Sequence, residues 1–418
     1  MQYATPTAYA SLSRRACSVA LAATTVAAVA CAIPDVPDPP LCPVCLDVAP
    51  ADAIHVTPTG AATGDCGSAA RPCALSRAIA ISGAAPIALA VGDHTASVVL
   101  RADSPHALCG GYDPATWART GAHTHVIASA RAAVVVSGFG GFTLSRVDLS
   151  SPDAPSGESS YGVIATGGAT LCVDGSVIEA GRGGEGSAGK NGEIDPSFHC
   201  TGDDGRSGAG GKAGASGTPT FDEGGFHGGV GTPGSAGEPG NQGFMADAPC
   251  GQAYSCNGFN GEGICQYVAG KSRAATPSCG GGGGTAGQGG GGGGASIAIY
   301  LYNAKLVARG STLRAAAAGK GGAGGVGGAG SKASVPPPPL CEGCDENCVI
   351  VPDTRTPPAR VDPGGAGGQG GRGGTGSDGW SCSVFSNVAG RAQLAGDVTT
   401  IFGEVGAKRA ATCGLEEP

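Results

Sequence analysis

Aromatic residues make up only 5% of this 418-residue chain, with nine Phe, eight Tyr and two Trp. A core built around large rings is therefore excluded. Charged residues amount to 14%, and 25 Lys and Arg stand against 33 Asp and Glu for a net charge of −8. Nucleic acid is excluded as a partner, because a basic face is missing. The net charge is also too small for the usual disordered chain. Apolar runs are short as well. The run "ACSVALAATTVAAVA" over residues 16–30 falls below the ~20 residues that span a bilayer, and Pro34, Pro37, Pro39 and Pro40 stop any helix after it. What is abundant instead is glycine (80 residues), proline (29) and cysteine (18). Order in such a chain has to come from backbone packing and cross-links.

Residues 1–30 have the form of a secretory signal, with Arg14 and Arg15 ahead of the apolar run. Two processing outcomes fit "AVAC" (Ala28 to Cys31). One is small-x-small cleavage giving a soluble secreted protein; the other is a lipobox in which Cys31 becomes the lipidated first residue. In the second case the membrane is a partner through the lipid anchor, and the Pro-rich stretch 31–52 is its tether. Sixteen cysteines follow Cys31: Cys42, Cys45, Cys66, Cys73, Cys109, Cys172, Cys200, Cys250, Cys256, Cys265, Cys279, Cys341, Cys344, Cys348, Cys382 and Cys413. An even number in an exported chain reads as a disulfide framework. "CPVC" and "CEGCDENC" also have zinc-ligand spacing, but a site would need four ligands drawn from two distant loops. Cys66 and Cys73 predict a short local loop closure.

From Ala53 the texture changes. A short strand and a Gly/Thr turn region lead into Leu75, Ala78 and Ile79 at helical spacing, which predicts one short helix placed to cover a sheet edge. Short apolar segments then recur between turn residues: "IALAV", "HVIA", "AAVVV", "FTLSRVDL", "YGVIA" and "TLCV". Their alternation predicts strands. "ATLCVDGSVIEAG" from Ala169 repeats as "AKLVARGSTLRAAAAG" from Ala304, sharing A-x-L-x-x-x-G-S-x-[I/L]-x-A and running into glycine triplets both times. Repeated strand-turn-strand units predict stacked coils with a shared core of small aliphatic side chains. The expected fold is all-β, a right-handed parallel β-helix with Gly-X-X insertions, and a β-sandwich is the alternative. The division along the chain is 53–182 β-helix, 183–294 glycine-triplet insertion, 295–318 a further coil, 319–380 a Gly/Pro/Cys-rich insertion and 381–418 a C-terminal cap.

"IHVTPTG…PCALSRAIA", "LCGGYDPATW" (Leu108 to Trp117) and the repeated "GS-x-I/L-x-A-x-x-G" before glycine triplets resemble a group of secreted proteins and lipoproteins abundant in myxobacteria. These are often labelled PGRS-like for their glycine tracts. The resemblance covers most of the chain after the signal; it implies an architecture and no established activity.

Glycine recurs at every third position in six blocks: Gly183–Gly192, Gly202–Gly217, Gly228–Gly243, Gly281–Gly293, Gly321–Gly330 and Gly364–Gly379. Three residues per turn is the period of polyproline II, which makes no internal hydrogen bonds. Brief blocks with few imino acids exclude collagen. Two readings remain: flexible Gly-rich coil, and an intramolecular polyproline II bundle in which glycine rows let backbones touch and bond. The second resembles the glycine-rich folds of a snow-flea antifreeze protein and of some phage adhesin tips.

Candidates for chemistry are sparse. β-Helix lyases and hydrolases need clustered carboxylates, and Asp93, His94, Asp103, His106, Asp148 and Asp174 are the available groups, with solvated turn positions as the competing reading. His123 and His125 share one strand face, as metal ligands would, but lack a third ligand nearby. "GGTGSDGWS" (Gly373 to Ser381) matches one calcium-binding nonapeptide without an adjoining copy. No phosphate-loop motif or other cofactor signature occurs. The sequence therefore points to an exported, non-catalytic structural or surface-binding protein with no cofactor or metal. A carbohydrate or cell-surface ligand is its expected partner. A carbohydrate-active enzyme and an adhesin or ice-binding module are the alternatives.

Overall fold

The computed structural model describes residues 42–101, 105–201, 205–243, 253–256, 265–268, 278–334, 348–350, 363–387, 392–403 and 408–414. Residues 1–30, expected as a signal, and Cys31, Asp103, Cys250, Cys341 and Cys344 lie outside them.

The chain is nearly all β, and its three large sheets are parallel throughout. The first contains Ile54–Ala61, Ile87–Ala90, His106–Tyr112, Gly141–Ser145, Thr170–Asp174, Lys305–Arg309 and Ala392–Leu394, in that order. The second contains Gly92–Thr95, Thr124–Ile127, Val147–Ser150, Val177–Ala180, Thr312–Ala315 and Thr399–Ile401. The third contains Val98–Arg101, Ala132–Ser137, Ser160–Thr166, Ser296–Tyr302, Trp380–Ser386 and Lys408–Gly414. From Ile87 onward the chain visits first, second and third sheet in fixed rotation, and each strand bonds to the strand one round earlier. The antiparallel sandwich is thereby excluded.

Small aliphatic side chains fill the interior because equivalent positions stack in register. In the second sheet Val126, Leu149, Ile178 and Leu313 form one buried ladder. In the third, Val134, Val163, Ile299 and Val384 form another. Each such side chain contributes about 1.5–3 kcal/mol by leaving water, so aromatics are not needed here. The expected helix is Leu75–Ile81, and its buried Leu75 and Ala78 join this core beside the first strand.

The repeat has a direct structural meaning. Thr170–Asp174 pairs with Lys305–Arg309, and Val177–Ala180 with Thr312–Ala315, so the two copies are neighbours in the stack. The shared Gly-Ser is the corner between first and second sheets. Gly175 and Gly310 both sit at φ 53°, and Arg146 takes the same left-handed corner one round earlier. "FTLSRVDL" is consequently two strands broken at Arg146, not one. The following serines are buried and bond along the stack: the Ser176 amide donates to Ser311 Oγ at 3.2 Å, and the Val147 amide to Ser176 Oγ at 3.1 Å.

In the stretch expected as the C-terminal cap, Trp380–Ser386, Ala392–Leu394, Thr399–Ile401 and Lys408–Gly414 continue all three sheets. The described part of the Pro-rich stretch is a strap held on the first sheet. Cys42 bonds to Cys172 and Cys45 to Cys109, Tyr112 O–H donates to the Leu46 carbonyl at 2.7 Å, and Trp117 and Tyr112 are buried beneath it. The other disulfides among the described residues are Cys66–Cys73, Cys200–Cys279 and Cys382–Cys413. The zinc reading of "CPVC" is overturned, since both its sulfurs are consumed in cross-links.

Both glycine insertions leave the second sheet and return to the third. Their blocks bond to one another at every third residue. The amides of Gly231, Gly234, Gly237 and Gly240 donate to the carbonyls of Gly290, Gly287, Gly284 and Gly281 at 2.9–3.0 Å, so the third and fourth blocks run antiparallel. Following all such ladders, the fourth block bonds to the first, third, fifth and sixth, and the sixth to the second, third, fourth and fifth. The arrangement is two layers of three, first–fourth–third and fifth–sixth–second. The flexible-coil reading does not hold for these blocks.

Candidate functional site

Of the carboxylates and imidazoles singled out in the sequence, His123, His125 and Asp148 meet on the second sheet, while Asp174 and His94 make other contacts. On the second sheet Asp93, His125 and Asp148 occupy successive register positions. His123 Nδ1 lies 2.8 Å from Asp148 Oδ1 and His125 Nε2 lies 3.6 Å from Asp148 Oδ2. The carboxylate also accepts the Val177 amide at 3.1 Å, which fixes it to the next round. Asp174 belongs to a different network. It accepts from Ser145 Oγ at 3.2 Å, and Arg119 donates to that same hydroxyl at 2.9 Å. His94 is buried with Nε2 3.0 Å from the Ala90 carbonyl, and burial lowers its pKa, so it is a neutral core histidine. His106 is buried in the first sheet. No facing pair of carboxylates with the spacing of a glycosidase emerges from these contacts. Among the described residues, no group of three or more His, Cys, Asp or Glu is placed to hold a metal ion.

The nonapeptide "GGTGSDGWS" is explained by packing. A Cβ on Gly373, Gly376 or Gly379 would overlap the carbonyl of Gln288, Gly291 or Gly294. Asp378 Oδ1 accepts the Gly321 amide at 2.8 Å, and the Trp380 ring packs 4.7 Å from Phe221. A cleft of about 120 Å³ lies under the strap between Leu46, Ala53, Pro86 and Tyr112. It is smaller than the ~300 Å³ at which small-molecule sites begin.

Comparison with protein-family models, with curated proteins and with solved structures finds no match.

The remaining organised surface is the bundle. Along the sixth block Ala366, Gln369, Arg372, Thr375 and Asp378 are exposed at every third position, while the glycines between them face neighbouring backbones. Ala323, Val326 and Ala329 do the same along the fifth block. Ser216 Oγ lies 3.1 Å from Thr375 Oγ1 and brings the second block into the same face. Residues on one row are three positions apart, at most about 10 Å along an extended backbone. The backbone beneath them is bonded throughout, so this face presents amide, hydroxyl, guanidinium and methyl groups from a rigid platform. The sequence offers ligand binding by a flat, regular bundle face as an alternative but singles out none of these residues; their signal is the position between the glycines.

The bundle is seated on the third sheet by a hairpin, Thr220–Asp222 with Gly225–His227. Phe221 stacks on Phe385 at 4.7 Å, and Phe385 on Tyr300 at 4.7 Å. Tyr300 O–H donates to the Asp222 carbonyl at 2.8 Å, and the Phe226 amide donates to the Tyr161 oxygen at 2.7 Å. Burial raises the pKa of both phenols, which therefore stay protonated. Much of the chain's small aromatic content is concentrated at this junction.

Proposed function

We propose that the chain is an exported, non-catalytic surface-binding protein in which a right-handed parallel β-helix is the stem and a polyproline II bundle is the contact surface. The β-helix reading rests on the fixed rotation through three parallel sheets with stacked aliphatic interiors. Its hand follows that of nearly all parallel crossovers. The bundle reading rests on the three-residue period of the interblock bonds. Several disulfides mark an oxidising, extracellular-type environment, and no helix among the described residues is long and apolar enough to cross a membrane. Anchorage through lipidated Cys31 at the outer membrane or cell surface completes the reading, in keeping with the resemblance to myxobacterial PGRS-like lipoproteins.

The single observation that carries the binding role is the row Ala366, Gln369, Arg372, Thr375 and Asp378, presented at a constant spacing on a bonded backbone. A bonded platform matches a flat or extended partner, and the polar row Gln369, Arg372, Thr375 and Asp378 with the apolar row Ala323, Val326 and Ala329 suits the polar edges and apolar faces of a carbohydrate. The oxidised full-length protein is to be tested for retention on immobilised envelope polysaccharides and intact cells, and for turnover of the same polysaccharides. Retention without turnover is expected, weakened roughly tenfold by combining Gln369→Ala and Arg372→Ala, about 1.4 kcal/mol. Turnover that disappears in Asp148→Asn would replace this reading with a carbohydrate-active enzyme.

A further inference from the structure

We propose that the two glycine insertions are joined to each other by a disulfide at the end of the bundle remote from the three large sheets. Ten of the sixteen cysteines that follow Cys31 are consumed in the five disulfides described above. The six others are Cys250, Cys256 and Cys265 in the first insertion, and Cys341, Cys344 and Cys348 in the second. Each insertion thus contributes an odd number. Pairing inside one insertion can consume only two of its three, so complete oxidation forces at least one bridge between them.

The described backbone places Cys256 and Cys265 of the first insertion in one small sheet with Cys348 of the second. Ala253–Cys256 pairs antiparallel with Cys265–Val268 on one side and with Cys348–Ile350 on the other. Cys256 is the register partner of Cys265, and Ser255 that of Cys348. Adjacent antiparallel strands hold facing Cα atoms about 4.5–5.5 Å apart, within the range a disulfide spans. The location also follows from the topology. Both insertions begin and end at the large sheets, and these strands lie on the connections between the third and fourth blocks and between the fifth and sixth. The Cys200–Cys279 bridge lies at the same end of the fourth block.

Each bridge forms when two thiols give up two protons and two electrons by thiol–disulfide exchange to a disulfide-bearing oxidant of the exported compartment, which is left as the dithiol. The resulting cross-link closes a loop through both insertions and restricts the unfolded chain. The bundle is then held at both ends, by stacked rings at the sheets and covalently at its far end.

The sequence supplies an unusually clean test. Cleavage after Lys and Arg releases Ala213–Lys271, which holds Cys250, Cys256 and Cys265 and no other cysteine. It also releases Ala333–Arg355, which holds Cys341, Cys344 and Cys348 and no other. Full-length protein purified without reductant is alkylated, denatured and cleaved without reduction. The expected product is one covalent pair of these peptides with no alkylated cysteine, separating into two masses on reduction, whichever cysteines carry the link. Recovery of the two peptides unlinked, each with an alkylated cysteine, overturns the proposal. So does linkage of either peptide to a third.

Discussion

Gly237 and Ala236 show how one methyl group decides between a packed backbone and a solvated one. A Cβ on Gly237 would overlap the carbonyl of Gly368 in the sixth block, and nothing but backbone lies there to yield. Ala236, one residue earlier, is exposed. Gly237→Val is expected to cost about 3 kcal/mol, the upper range for overpacking, with a lower melting temperature and faster amide exchange across the third and sixth blocks. Ala236→Val should stay within about 0.5 kcal/mol. Thermal melts and exchange on the two variants side by side check this, and equal tolerance would contradict the bonded arrangement. At this scale the sequence was legible, because a three-residue glycine period needs no partner to be seen.

Among elements, the hairpin Thr220–Asp222 with Gly225–His227 decides whether the bundle is seated on the sheets. Its Phe221 stacks on Phe385, and that ring stacks on Tyr300. Phe221→Ala removes the ring that covers this surface and is expected to cost about 2–3 kcal/mol, below the ~3–5 kcal/mol of a fully buried Phe, since Phe221 is partly exposed. The loss should be local. Proteolysis and amide exchange should rise in the hairpin and the second and third blocks, while Val163 and Ile299 in the third sheet keep their protection. Uniform loss of protection through the sheets would show that the hairpin is integral to the core instead. Two phenylalanines in a glycine-rich tract were visible in the sequence, but nothing local marked the third sheet as their partner. The blocks themselves were legible in part. The fourth, with four bonded neighbours, has ten glycines in thirteen residues, the sixth ten in sixteen and the fifth seven in ten, against five in ten for the first and seven in sixteen for the second, with two neighbours each. The third block bonds to three others with no more glycine than the second, so glycine density alone does not rank the contacts.

Across the whole molecule, the strap from Cys42 to Pro50 couples any anchor at Cys31 to the sheets, since Cys42 and Cys45 are bonded to Cys172 and Cys109. Only the residues between Cys31 and Cys42 are left as tether, at most about 3.5 Å each when extended. Cys31→Ala is expected to move the protein from the membrane fraction to the soluble exported fraction without changing its melting temperature, as the lipid and not the fold would hold it there. Fractionation and thermal melts of the variant check this. An unchanged distribution would leave small-x-small cleavage as the processing route.

By itself the sequence determined the periodic features: short alternating strands, the single helix at Leu75, stacked repeats, the triplet blocks and an even set of cysteines. Each of these repeats within a few residues or counts residue types, so each can be recognised without knowing what lies beside it. Only the tertiary structure decided the pairings. Cys42 and Cys172 are 130 residues apart, Tyr161 and Phe226 meet across 65, and the first and fifth blocks meet across most of the first insertion and the three strands that follow it. It also brought His123 and His125 to Asp148 while holding Asp174 in a separate network with Ser145 and Arg119. Such contacts depend on where a folded backbone returns, and a chain whose segments are chemically so alike carries little local information about which neighbour each will find.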